Sequence, residues 1–121
     1  MVDPRVTKLA DLLVNYSVNV RPGDKVLIDG NSIAEPLLLE IYKKVLQAGG
    51  HPIFEVGLPG AREILYRLAS DEQLSYVSEV EKLLNENIDV QIGVIAEVNT
   101  KSLTGVDPDR QVIHRRAREA L

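Results

Sequence analysis

Lys25-Val26-Leu27-Ile28-Asp29 leads through Gly30-Asn31-Ser32 into a helical pattern, and Gly49-Gly50 then leads into Pro52-Ile53-Phe54-Glu55-Val56. This stretch decides the fold. Both apolar runs are short, rich in branched side chains and bounded by turn residues, as buried strands are. Between them Ala34, Leu37, Leu38, Ile41, Val45 and Ala48 recur at helical spacing, while Glu40, Lys43, Lys44 and Gln47 are expected to face water. Ser32 is the expected cap, Pro36 is tolerated in the first turn, and Gly49-Gly50 stops the helix. A helix of this length between two strands excludes a hairpin, so the strands should run parallel.

Working outward, Asp3-Pro4 and Asp107-Pro108 share one grammar: a capping carboxylate, then a proline at the first helical position. The first helix should bury Val6, Leu9, Ala10 and Leu13 and end near Val18 or Asn19, before the turn Arg21-Pro22-Gly23-Asp24. Leu58-Pro59-Gly60 opens a helix carrying Ile64, Leu65 and Leu68. Ser70 and Gln73 have capping-box spacing, and helical periodicity then runs through Leu74, Val77, Val80, Leu83 and Leu84. Val90–Ala96 reads as a third strand, Glu97–Lys101 as a polar loop, and a final helix starts at Pro108.

The order α-β-α-β-α-α-β-α predicts an α/β fold. A mostly parallel sheet with helices on both faces makes three layers, Rossmann-like or flavodoxin-like. Residues 1–121 are expected to form a single α/β domain. The chain stops inside an amphipathic pattern with no glycine stop, so it is expected to be truncated or a domain cut from a longer protein.

Composition narrows the function. The net charge is −4, and Asp107, Asp109 and Glu119 interrupt the late basic cluster of Arg110, Arg115, Arg116 and Arg118. That cluster reads as a solvated helix face, and no nucleic-acid partner is expected. With no cysteine, disulfides and thiolate metal sites are excluded. Met1-Val2-Asp3-Pro4-Arg5 lacks the order of a secretory signal, and no apolar run is long enough to span a bilayer. A cytoplasmic protein without a membrane partner is the expectation.

In parallel sheets, ligands bind beyond the carboxyl ends of the strands. The residues expected there are Asp29, Asn31 and Ser32 after the first strand, Glu55 on the second, and Glu97, Asn99, Thr100 and Lys101 after the third. The candidates for facing a cavity are Asn31, Ser32, Asn99, Thr100 and Lys101. Neither glycine-rich phosphate motif occurs, and Asp29 would repel a phosphate. The two histidines, His51 and His114, lack partners at metal-binding spacing, and no serine sits in a nucleophile elbow. No catalytic or metal-binding residue is therefore assigned.

Three stretches resemble the aminopeptidase T and aminopeptidase S family of metallo-aminopeptidases. They are Leu9–Ser17 with Val20–Ile28, Ala34-Glu35-Pro36-Leu37 leading to Ala48–Pro52, and Ala96–Lys101 followed by Val106–Arg110. The resemblance implies a cytoplasmic exopeptidase that removes N-terminal residues from peptides. It also implies two divalent metal ions of the zinc, cobalt or manganese type, which polarise the scissile carbonyl and supply hydroxide. In that family the catalytic residues lie in a C-terminal domain, so none transfers to residues 1–121. The implied role is an N-terminal, non-catalytic domain that packs on the catalytic domain of the same chain and helps enclose its cavity, with homodimers in the complete proteins. The alternative is a free-standing α/β module that binds a small ligand or a partner.

Overall fold

The computed structural model describes residues 3–96, 105–119 and 121. Within these the chain is α/β, with a three-stranded parallel sheet flanked by helices. Two compact units are distinguishable, Met1–Leu58 with Ile88–Ala96, and Pro59–Asn87 with Glu97–Leu121. Among the described residues no helix is long and apolar enough to cross a membrane.

The first unit holds α1 (Pro4–Asp11), β1 (Lys25–Asn31), α2 (Glu35–Gln47), β2 (His51–Gly57) and β3 (Val90–Gly93). The strand order is β2-β1-β3, parallel throughout. The Asp3 carboxylate caps α1 by accepting from the Arg5 N–H at 2.9 Å. That bond, together with the Arg5 side chain, holds its pKa below the ordinary carboxylate value.

After Asp11 the helix widens into π-helical turns over Leu12–Ser17 and ends at Val18, with Asn19 in the left-handed region at φ 50°. Ala10 and Val14 are the fully buried positions of this segment, whereas Leu9, expected in the core, is 46% exposed. Ala10, Val14, Leu38, Ile41 and Val45 close over Val26, Ile28 and Ile92, which share one face of the sheet. Glu40 is a second correction. It is 3% exposed rather than solvated, with Lys43 Nζ at 3.1 Å from one carboxylate oxygen. Its other oxygen has no hydrogen-bond partner among the described residues. Periodicity alone placed this position on the wet side; α1 packs against α2, a tertiary contact that helical spacing does not show.

The C-terminus of α2 is a Schellman motif. Gly50 N–H donates to Val45 O at 3.0 Å and Gly49 N–H to Leu46 O at 3.0 Å, satisfying carbonyls the helix leaves unpaired. Gly49 takes φ 84°, and an added Cβ would lie 3.1 Å from Pro22 Cα. The Arg21–Asp24 turn is closed by Asp24 N–H to Arg21 O at 3.1 Å and tied to this point by Gly23 N–H to Gly49 O at 2.9 Å. Two turns far apart in sequence thus share one close contact at the sheet's entry.

The third strand is shorter than expected. Its ladder ends where Asp29 pairs with Gly93, and Val94–Ala96 continue without strand pairing. The first strand is longer than expected and includes Gly30 and Asn31.

The second unit contains α3 (Ala61–Leu68), α4 (Asp71–Ser75), α5 (Glu79–Glu86) and α6 (Pro108–Ala117) around Tyr66, Leu74 and Val106. The capping box is present, with Gln73 N–H to Ser70 Oγ at 3.1 Å and Ser70 N–H to Gln73 Oε1 at 2.8 Å. The helical stretch expected after it is two helices, not one. Tyr76 and Ser78 are extended, and Ser78 Oγ accepts from the Glu81 N–H at 3.1 Å to start α5. Asp107 caps α6 through the Asp109 N–H at 2.9 Å.

The arginines of α6 divide by exposure. Arg115 and Arg116 are solvated as expected. Arg110 instead donates to Tyr66 O at 2.7 Å and to Ala69 O, and Arg118 donates to Tyr76 O at 3.1 Å. Neither α3 nor α4 ends in a glycine cap. The guanidinium forks therefore satisfy carbonyls that those helix ends leave open.

Replacing Gly49 with alanine is expected to cost about 1–2 kcal/mol for the left-handed backbone, with a further loss from the Pro22 contact. Gly57→Ala serves as the control, because its added Cβ would meet nothing closer than Gly30 O at 3.9 Å. Urea unfolding of both variants reads the difference. Equal losses would show that neither the backbone angle nor the Pro22 contact matters.

Candidate functional site

The carboxyl end of the sheet lies wholly in the first unit and carries two of the residues expected to face a cavity. Asn31, the last residue of β1, uses both ends of its amide. Its Oδ1 accepts from the Ile33 N–H at 3.0 Å, which starts the 3-10 turn Ser32–Ala34. Its Nδ2 donates to Ala96 O, tying the end of β1 to the chain that leaves β3. The cap at this point is thus Asn31 and not Ser32, because β1 runs further than the apolar pattern showed. Ser32 is exposed, and no hydrogen bond to its hydroxyl occurs among the described residues. The remaining candidates, Asn99, Thr100 and Lys101, lie outside the described residues, as does Glu97.

Next to Asn31 the backbone is tightly packed. A Cβ on Gly30 would lie 3.0 Å from Val94 O and 3.3 Å from Leu38 Cδ2. Only a residue without a side chain lets the Val94 segment cross there. Asp29 and Glu55 are register partners on adjacent strands, so their side chains leave the same face of the sheet. The Asp29 carboxylate accepts from Gln91 Nε2 and rests against Gly93, where a Cβ would meet it at 2.8 Å. Sequence reading missed this Asp29–Gln91 contact. The signal was available in the alternation of β3, which puts Gln91 and Gly93 on one face.

Among the described residues no three His, Asp or Glu side chains converge as a metal-binding group. His51 opens β2, at the amino end of the sheet. His114 belongs to α6 in the second unit, where its Nδ1 lies 3.2 Å from Tyr66 Oη and its ring meets the Tyr66 ring edge-on at 5.3 Å. Burial lowers the His114 pKa, the charges of Arg118 and Arg62 push it the same way, and Glu81 opposes them. The second unit also has a cleft of about 380 Å³ lined by Tyr66, Arg67, Ala69, Gly105, Val106, Asp107 and Arg110. Both of its arginines are already paired, Arg67 with Glu63 at 3.1 Å and Arg110 with the α3 carbonyls and Asp71. The cleft offers packing space more than charge.

A family model described as thermophilic metalloprotease (M29) matches residues 2–121, almost the whole chain. The chain belongs to that family. M29 proteins are metallopeptidases, hydrolases of the aminopeptidase T type that use divalent metal. The resemblance carried by Leu9–Ile28, Ala34–Pro52 and Ala96–Arg110 therefore led to the right family. Among solved structures, wild-type AmpT from Thermus thermophilus has the same fold over 93% of this chain, with a TM-score of 0.75 and 19% identity. The match occupies 29% of the AmpT chain, so this M29 chain spans less than a third of the length of that relative. A comparison with curated proteins returns no significant match. The described residues of this M29 chain do not fit a dinuclear metal centre, because no ligand group gathers among them.

Two outcomes follow for the residues named. Asn31→Ala, which removes a cap, is expected to cost about 0.5–2 kcal/mol, whereas Ser32→Ala should stay within about 0.5 kcal/mol; urea midpoints compare the two. For His114, the folded pKa lies below the ordinary value of 6.5, so the unfolded chain binds the proton more readily. The stability tied to this group is complete above 6.5 and is lost as pH falls from there through the lower folded value. His114→Gln should flatten that part of the pH dependence. An unchanged slope would mean the histidine titrates alike in both states.

Proposed function

We propose that this chain is the N-terminal, non-catalytic part of a metal-dependent aminopeptidase that removes N-terminal amino acids from peptides. The observation that carries the reading is a combination of extents. The family match runs over residues 2–121, yet the shared fold occupies 29% of the related AmpT chain. A hydrolytic centre with two divalent ions needs several carboxylate and imidazole ligands. The described residues bring no such group together, so those ligands would come from a separate catalytic domain of the same polypeptide.

In this reading the α/β segment packs on the catalytic domain and helps enclose the cavity that admits the peptide. The carboxyl end of the sheet, with Asn31 and Ser32, is the edge proposed to face it, and Asn99, Thr100 and Lys101, which follow β3 in the sequence, are proposed to face it too. The ions would be of the zinc, cobalt or manganese type, the complete enzyme a homodimer, and its compartment the cytoplasm.

The purified 121-residue chain is expected to release no leucine from a leucyl substrate with added zinc, cobalt or manganese. Titration calorimetry with each ion should show no stoichiometric binding. Metal-dependent release of leucine, or one tightly bound ion per chain, would overturn the reading.

A further inference from the structure

Ile95 is 92% exposed, the highest value among the described large apolar residues. Single exposed apolar side chains are common on protein surfaces. This one differs because the backbone on both sides of it is held. Before it, Val94 N–H donates to Asp29 O at 2.9 Å, and the Val94 side chain packs against the core of the first unit. Val94 O passes so close to Gly30 that a Cβ there would lie 3.0 Å from it. After it, Ala96 O accepts from Asn31 Nδ2. The Asn31 amide is itself oriented, since its Oδ1 accepts from the Ile33 N–H at 3.0 Å. Ile95 is thus suspended between two anchors, both supplied by the closing Asp29-Gly30-Asn31 of β1.

The side chain between those anchors is stiff. A β-branched residue has few χ1 states to lose on contact. With its backbone already fixed, it offers a partner a preformed apolar surface that needs little ordering. The polar groups beside it are largely spent. Asn31 uses both ends of its amide, and the Asp29 carboxylate accepts from Gln91 Nε2. The described edge therefore favours an apolar contact over a charged one. Because the residues that anchor Ile95 are polar, the contact matches one side chain of a peptide better than the broad face of a stable domain interface, roughly 800 Å² a side.

We infer that Ile95 is a specificity-determining contact, receiving an apolar side chain of the peptide substrate, and that Asn31 is the residue that positions it. The inference rests on the proposal that the carboxyl end of the sheet faces the peptide cavity. It adds a substrate class, peptides with an apolar residue near the N-terminus. It also divides the labour at this edge: Ile95 touches the peptide, and Asn31 acts through Ile95 by holding Ala96.

The test uses the complete enzyme with divalent metal, on triglycine and on glycine tripeptides carrying leucine at each position in turn. Ile95→Ser is expected to lower kcat/KM for one of the leucine peptides about tenfold relative to triglycine, the scale of a lost apolar contact, and the change should enter through KM. Ile95→Leu conserves volume and should keep the wild-type ratio. Asn31→Asp separates the cap from the clamp. Aspartate still accepts from the Ile33 N–H, but it sets a carboxylate oxygen against Ala96 O, and it should shift the same ratio in the same direction. A merely structural role would instead lower activity on every peptide alike. Circular dichroism verifies that the variants fold. An Ile95→Ser enzyme that keeps the wild-type ratio on every peptide, or an Asn31→Asp enzyme that loses activity equally on all of them, would overturn the contact and leave the peptidase reading standing. A complete polypeptide that releases no N-terminal residue from any peptide would overturn both.

Discussion

Strand β1 shares its backbone between two neighbours, and the first unit depends on that division. Its odd-numbered carbonyls accept from the β3 side, Lys25 O from Asp89 N–H and Asp29 O from Val94 N–H, each at 2.9 Å. The even-numbered residues serve β2. Parallel pairing between strands distant in sequence carries a loop-closure cost that only burial can offset. Here Val26 and Ile28, both 0% exposed, are covered by Ala10, Val14, Ile41 and Val45. Side-chain burial and the ladder hold each other in place.

The entry and exit of the sheet are arranged differently. At the entry, close backbone contact between the Pro22-Gly23 turn and Gly49-Gly50 sets the angle at which α2 delivers β2. At the exit, side chains do the joining: Asn31 reaches the chain after β3, and Asp29 meets Gln91 across the strands. Polar groups at the carboxyl end are thus partly consumed in holding that end together. Ser32 is left to solvent, which makes it the less constrained of the two described candidates.

The second unit solves a different problem. Its helices are short, and short helices have proportionally more unpaired terminal groups. Serine caps open α4 and α5, aspartate opens α6, and arginines from α6 reach the carbonyl ends of α3 and α4. A cluster that looked like a solvated basic face is half a set of cross-links. Long-range use of Arg110 and Arg118 leaves no mark in local periodicity, so composition and spacing were blind to it.

What the sequence determined by itself was the alternation of strands and helices, several of their caps, and the family. Asp3-Pro4, Asp107-Pro108, Ser70 with Gln73 and Gly49-Gly50 act on backbone groups within a few residues, so their effects are written locally. The same locality made the first strand–helix–strand unit legible. Tertiary structure alone decided that Glu40 is buried, that Leu9 is not, and that β3 stops at Gly93. It also decided the strand order β2-β1-β3 and the bonding of Asn31 to Ala96. Those outcomes depend on which surfaces meet across many residues, and a contact of that kind has no period in the chain.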